Sequence, residues 1–271
     1  VFACLQPFPL AGLMVLFFMS FLSIRLEEVL EALRRASLPL LSLVALKMFV
    51  LPLILYSLFL QVVPEYALSA LLLTAVSTGV VAPFMSNLVG GNSARVLVVT
   101  VLTSMLVPFS LPAVVEIVLS TSVDLSFWDM LRVLALAIFV PIAAVQVLRR
   151  VAPQLLDAAN RRSYPVNLVM FACITLGVFS KHAEIFYSAP TLIIEACLVG
   201  IALSLIFAAA GILFFRGSGT QDRLAGAVMF AHINNVLMIF FSAKFFGPRE
   251  TMRAAMYLVP FFWIFLPMLV Y

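Results

Sequence analysis

Lys47 stands alone as a charge in an apolar run from Leu38 to Val63 that holds no carboxylate. If that run is a helix crossing a bilayer, roughly 14 Å separates the lysine from its start, which puts the ammonium near mid-core. A charge at that depth costs on the order of several kcal/mol unless a partner, water or deprotonation relieves it. Two chemistries fit such a group: holding an anion, or loading and releasing a proton. A second polar cluster, His232 with Asn234 and Asn235, interrupts the apolar stretch 223–246. Imidazole and amide groups in hydrocarbon need hydrogen-bond partners from neighbouring helices or from a ligand. A third set runs through Ser77, Thr78, Ser86 and Asn87, with Thr100, Thr103 and Ser104 following in the next stretch. We take these eleven side chains as the candidate substrate and coupling residues.

The elements that must carry them are membrane helices. Of 271 residues 65% are hydrophobic and only 10% charged, against about 25% charged in soluble domains. Hydropathy predicts an all-α polytopic protein with nine spanning stretches, near 3–24, 38–63, 66–90, 93–120, 129–148, 163–181, 188–215, 223–246 and 252–271. Connections are short, so the chain 1–271 reads as one transmembrane domain. The longest connection, Arg149 to Arg162, has the composition of an interfacial amphipathic turn. When alternate connections are assigned to opposite faces, one face collects Arg25, Arg34, Arg35, Arg95, Arg149, Arg150, Arg161, Arg162, Arg216 and Arg223. The other holds only Arg132, Lys181, Arg249 and Arg253. The arginine-rich face is expected in the cytoplasm, together with the C-terminus, in a cell membrane (the inner one if the cell is Gram-negative). Val1 is not a start methionine, and one further helix before it would return the N-terminus to the cytoplasm and make ten.

No basic stripe for nucleic acid exists on a soluble face. Cys4, Cys173 and Cys197 are widely separated in apolar runs, as buried free thiols are. No H-E-x-x-H or G-x-S-x-G occurs, and Asp124, Asp129, Asp157 and Asp222 fall in or beside connections. An enzyme, a metal centre and a cofactor are therefore not expected.

Two stretches make poor continuous helices. The third reads Ser77-Thr78-Gly79-Val80-Val81-Ala82-Pro83 and closes on Gly90-Gly91-Asn92, and the eighth carries His232-Ile233-Asn234-Asn235. Gly79 and Pro83 weaken the helix backbone, and polar clusters in hydrocarbon need partners. Each is followed by a stretch with late prolines: Pro108 and Pro112 after the first, Pro260 and Pro267 after the second. The pattern predicts inverted repeats of about 1–120 and 129–271, with two broken helices that cross near midplane. Paired interruptions of this kind mark the substrate site of a secondary transporter.

These features resemble the bile acid:sodium symporter family and its wider relatives, which include the auxin efflux carriers; the chain looks like a divergent bacterial-type member. From Gly91-Asn92 the family pattern continues with Thr100, Thr103-Ser104, Pro108 and Pro112, and Pro52 matches the proline of its second segment. The resemblance implies ten helices divided into a panel and a core. It also implies oxygen ligands around sodium in the coupled members: a Ser-Asn pair, a Ser and a Thr on the next helix, a Glu and a Gln on the crossing helix, and a Gln before the second-segment proline. Here those positions hold Ala82-Pro83, Val96, Thr100, Phe230, Asn234 and Lys47. Aligning Ser86-Asn87 as the Ser-Asn pair requires a gap before Gly91-Asn92. The carboxylate of the set is gone and a cation has arrived, so the expectation is a transporter of a small organic anion that sodium does not drive. Lys47 would replace an ion ligand and could serve proton coupling. Sodium symport, passive diffusion and a non-transporting receptor or scaffold on the same fold remain open at this level, as does the oligomeric state.

Overall fold

The computed structural model describes residues 9–22, 38–119 and 125–264. Cys4, Arg25, Arg34, Arg35, Asp124, Pro267 and the ends of several predicted stretches lie outside them. The described residues form helices and no named strand, in the order α1 (Pro9–Phe21), α2 (Leu38–Val62), α3 (Ala67–Ala75), α4 (Ala82–Leu88), α5 (Ser93–Leu119), α6 (Phe127–Val151) and α7 (Pro153–Arg161). Then come α8 (Ser163–Lys181), α9 (Ala183–Ser188), α10 (Pro190–Phe214), α11 (Thr220–Ala231), α12 (Asn235–Phe245), α13 (Pro248–Met256) and α14 (Leu258–Trp263). Among them α2, α5, α6 and α10 are each long and apolar enough to cross a bilayer as single helices. Helices α3 with α4, and α11 with α12, are half-length pieces, as the interrupted stretches predict.

Helix ends follow local chemistry. Ser126 caps α6, its hydroxyl accepting from the Asp129 N–H at 3.2 Å, and Arg149 and Arg150 sit in the last turn where a cation favours the helix dipole. The predicted stretch 252–271 opens earlier than expected, at Pro248. Gly247 turns the chain at φ 84°, and proline fits the first helical position, where no N–H is needed. The interfacial turn predicted between Arg149 and Arg162 is the helix α7, bent 66° from the helix that follows it.

Packing separates the helices into two groups. Helix α1 lies against α6 and α8, while α2 to α5 and α10 to α13 pack around one another. The two groups touch most extensively where α5 meets α6, and again where α1 and α8 meet α12. Side chains such as Val140, Val147, Ile194 and Leu198 stay exposed on the outer helices, consistent with a lipid-facing surface. Every residue from Leu224 to Ser242 is buried, so the broken pair α11–α12 runs through the centre.

The closest helix packing joins α10 to α11 at Gly211 and Gly226. A β-carbon on Gly211 would lie 2.1 Å from the Gly226 carbonyl oxygen, and one on Gly226 would lie 2.4 Å from that of Gly211. Backbone on both sides leaves nothing that can give way, the small-residue logic of membrane helix pairs. Gly211→Ala and Gly226→Ala should each destabilise the fold by about 1–3 kcal/mol. Gly217→Ala, which meets nothing within 4 Å, should be neutral. Thermal unfolding in detergent separates the cases, and equal melting of all three would refute the packing argument.

Candidate functional site at the helix crossing

Helix α3 stops at Ala75 and α11 at Ala231, and the chain beyond each is extended. The two extended pieces meet as an antiparallel bridge between Thr78 and Ile233. The Gly79 N–H donates to the His232 carbonyl at 2.7 Å, and the Asn234 N–H to the Ser77 carbonyl at 2.8 Å. Each break thus supplies partners to the other, the condition irregular backbone must meet at membrane depth. Gly79 is required here, because a β-carbon would lie 2.7 Å from the Ile233 carbonyl oxygen.

The two helix ends differ in how they are filled. At the end of α11 the Thr78 hydroxyl donates to the Met229 carbonyl at 2.8 Å, and the Tyr257 hydroxyl to the Ala231 carbonyl at 2.9 Å. His232 O is taken by Gly79, as described. At the end of α3 the N–H groups of Thr78 and Gly79 would continue the ladder to Thr74 and Ala75, but both are diverted. Thr78 donates to Thr103 Oγ1 at 3.1 Å and Gly79 to His232. Carbonyl oxygens at a helix C-terminus carry the negative end of the dipole and attract cations. Protein donors occupy that end in α11.

Around the crossing lie buried polar atoms without protein partners: Ser77 Oγ, Thr100 Oγ1, Asn234 Nδ2 and both amide atoms of Asn235. Asn234 Oδ1 caps α12 by accepting from the Leu237 N–H at 3.2 Å. His232 is buried with its ring edge-on to Phe261 at 5.0 Å, and Ser104 is buried on α5. Ser86 and Asn87 are not part of this cluster. They lie at the far end of α4, where Gly91 N–H donates to Ser86 O at 2.7 Å and Asn87 is exposed. A whole helix segment separates them from the bridge.

Lys47 is 1% exposed, inside a π-helical turn, Leu46–Val50, of α2. Pro52 explains that turn. It has no N–H for the carbonyl four residues back, and the ladder shifts so that Leu51 N–H reaches the carbonyl of Leu46. The ammonium lies 5.3 Å from the centroid of the Phe230 ring, in the last turn of α11. Positions 47 and 230, both tied by resemblance to the sodium ligand set, are therefore neighbours. No hydrogen bond among the described residues joins Lys47 to Asn234, Asn235 or Thr100; the group placed by its nitrogen is the Phe230 ring.

Sequence reasoning missed two polar ties that hold the crossing from its ends. In one, Asn92 Nδ2 donates to Asp222 Oδ1 at 3.1 Å and Arg95 pairs with the same carboxylate at 3.0 Å. In the other, Ser69 Oγ donates to Glu250 Oε2 at 2.6 Å, Arg253 pairs with Glu250, and the guanidinium also donates to Glu65 O at 2.7 Å. The arginine stacks over Tyr66 at 4.2 Å, and the Tyr66 hydroxyl donates to Glu195 at 3.2 Å. Arg253, counted above among the connections, is thus buried inside a helix by its ion pair. Glu195 thereby joins this tie. Each tie links the segment after a left-handed glycine, Gly90 or Gly247, to the third residue of the opposite broken helix, Asp222 or Ser69.

Tyr257→Phe keeps the shape but leaves the buried Ala231 carbonyl without its donor. It should lower stability by about 1–3 kcal/mol, whereas Tyr187→Phe, at 89% exposed, should not. Melting curves of the two variants check this, and an unchanged Tyr257→Phe would mean that the carbonyl finds another donor.

None of the curated proteins matches this chain. A sequence model of the sodium bile acid symporter family matches residues 10–189, from α1 to the connection before α10. That covers well over half of the chain and agrees with an all-α membrane fold, so the protein belongs to the sodium bile acid symporter family, whose members are membrane transporters.

Proposed function

We propose that the protein is a secondary transporter that carries a small organic anion by alternating access across a cell membrane, with the crossing of the two broken helices as its substrate site. The observation that carries this reading is the cluster of buried, unpartnered polar atoms on Ser77, Thr100, Asn234 and Asn235. Unpaired polar groups in a membrane core are costly, and a ligand or its water would complete them. The N-terminus of α12 faces the bridge from Asn235 onward, and a helix N-terminus favours negative charge. A buried lysine nearby adds to that preference.

Sodium coupling is disfavoured by the same residues. A hard cation needs several oxygen ligands, yet Ala82, Pro83, Val96, Phe230 and Lys47 stand where resemblance places five of them. The carbonyls ending α11 already accept from Thr78 and Tyr257. In this reading Lys47 supplies the positive charge an ion would bring and can cycle a proton. The crossed helices, tied at midpoint and both ends, move as one body against α1, α6 and α8. The matched ties support inverted repeats, with the arginine-rich face and the C-terminus in the cytoplasm.

Uptake into proteoliposomes, scanned over anionic metabolites under imposed sodium and proton gradients, is the direct test. Transport should persist when potassium replaces sodium; saturable dependence on sodium would overturn the reading. Lys47→Gln should fold yet lose coupled uptake. Lys47→Arg should also fail, since a guanidinium is bulkier and does not deprotonate. Wild-type uptake by Lys47→Gln at matched expression would show that the lysine only lines the cavity.

A further inference from the structure

Helix α7 follows the long helix α6, precedes α8 and packs against both. Two adjacent stripes on it, Gln154, Ala158 and Arg161 with Leu155, Ala159 and Arg162, line a shallow hollow open to the surroundings. Their spacing of four and then three residues puts each stripe on one helix face. The small side chains of Ala158 and Ala159 leave the space, Leu155 gives it an apolar wall, and the two guanidiniums close one end. The surrounding connection is basic: between positions 149 and 162 it holds four arginines and a single acid, Asp157. Arg149 already donates to the Leu22 carbonyl at 3.0 Å, whereas Arg150, Arg161 and Arg162 are exposed. Leu155 at 61% and Val151 at 78% exposed place apolar side chains beside the charges.

We propose that this hollow is a binding site for the headgroup of an anionic phospholipid. The combination is specific to an amphiphile. Guanidiniums make paired, charge-assisted hydrogen bonds to phosphate oxygens. Exposed leucine and valine at the same level match the glycerol and upper acyl region, as in interfacial amphipathic helices. A soluble anion would use the charges but not the apolar wall. Two full positive charges outweigh the partial negative charge at the end of α7, which is worth roughly half an elementary charge. Basic residues at a membrane surface add on the order of 1 kcal/mol each toward anionic lipid. Bound lipid would pin α7 and, through it, the helices it joins.

The test uses the full chain in nanodiscs of phosphatidylcholine alone or of phosphatidylcholine with phosphatidylglycerol. Thermal unfolding and native mass spectrometry of retained lipid are the readouts. Wild type should melt several degrees higher in the phosphatidylglycerol discs and keep phosphatidylglycerol after mild delipidation. Arg161→Gln with Arg162→Gln should lose most of that gain, while Arg216→Gln, outside the hollow, should keep it. Ala158→Leu, which fills the hollow and leaves every charge in place, should also lose retained lipid. This separates a built site from diffuse attraction, and should the double variant fold poorly, Ala158→Leu carries the test by itself. Full gain in both α7 variants would overturn the proposal. Reproduction of the gain by inorganic phosphate in phosphatidylcholine discs would also overturn it, by assigning the hollow to a soluble anion.

Discussion

Breaking a helix inside hydrocarbon frees backbone N–H and C=O groups that water cannot reach, and each unpaired group costs several kcal/mol by transfer measures. This chain breaks two helices at once and sets the breaks against each other. Thr78 and Ile233 form a minimal antiparallel bridge, with Gly79 and Asn234 donating across it. Neither break satisfies these groups alone, so the pair is stable only as a pair. The crossing depends on that reciprocity, and the central burial of α11 and α12 follows from it.

The ends of the crossed pair are held by charge. Asp222 with Asn92 and Arg95 closes one end, and Glu250 with Ser69 and Arg253 closes the other. Ion pairs near an interface are weak stabilisers, whereas a buried pair makes separation expensive, because parting would strand a charge. The second tie is the buried one, with Arg253 also stacked on Tyr66. The close α10–α11 approach at two facing glycines adds rigid contact near the other tie, since Gly226 follows Asp222 by one helical turn. Contacts of this assembly with α1 and α8 are sparser, while α5 packs closely along α6.

Lys47 shows how a local defect and a distant residue combine. Pro52 removes a ladder donor, the helix widens into a π turn, and the lysine is buried within that turn. What faces it is an aromatic ring. A desolvated cation over an aromatic face gains about 2 kcal/mol, less than a carboxylate would offer. The charge is therefore only partly compensated by protein, which leaves room for an anionic ligand or for loss of the proton.

The sequence alone determined the class of the molecule and the places where its helices fail. Apolar runs long enough to span, interrupted at Gly79–Pro83 and at His232–Asn235, have few solutions in a bilayer, and Lys47 was conspicuous because no carboxylate accompanied it. The grouping of the side chains was decided only by tertiary structure. Ser86 and Asn87 look as polar as Ser77 and Thr78 in a linear reading, yet one helix segment puts them at the far end of α4. Arg253 looked like a charge in a connection, and Tyr257 gave no signal beyond a hydroxyl in an apolar run that needed an acceptor. Their partners lie more than twenty residues away in every case except the Glu250–Arg253 pair. Local propensity carries no information about such contacts, because which carbonyl a hydroxyl reaches depends on how two helices cross.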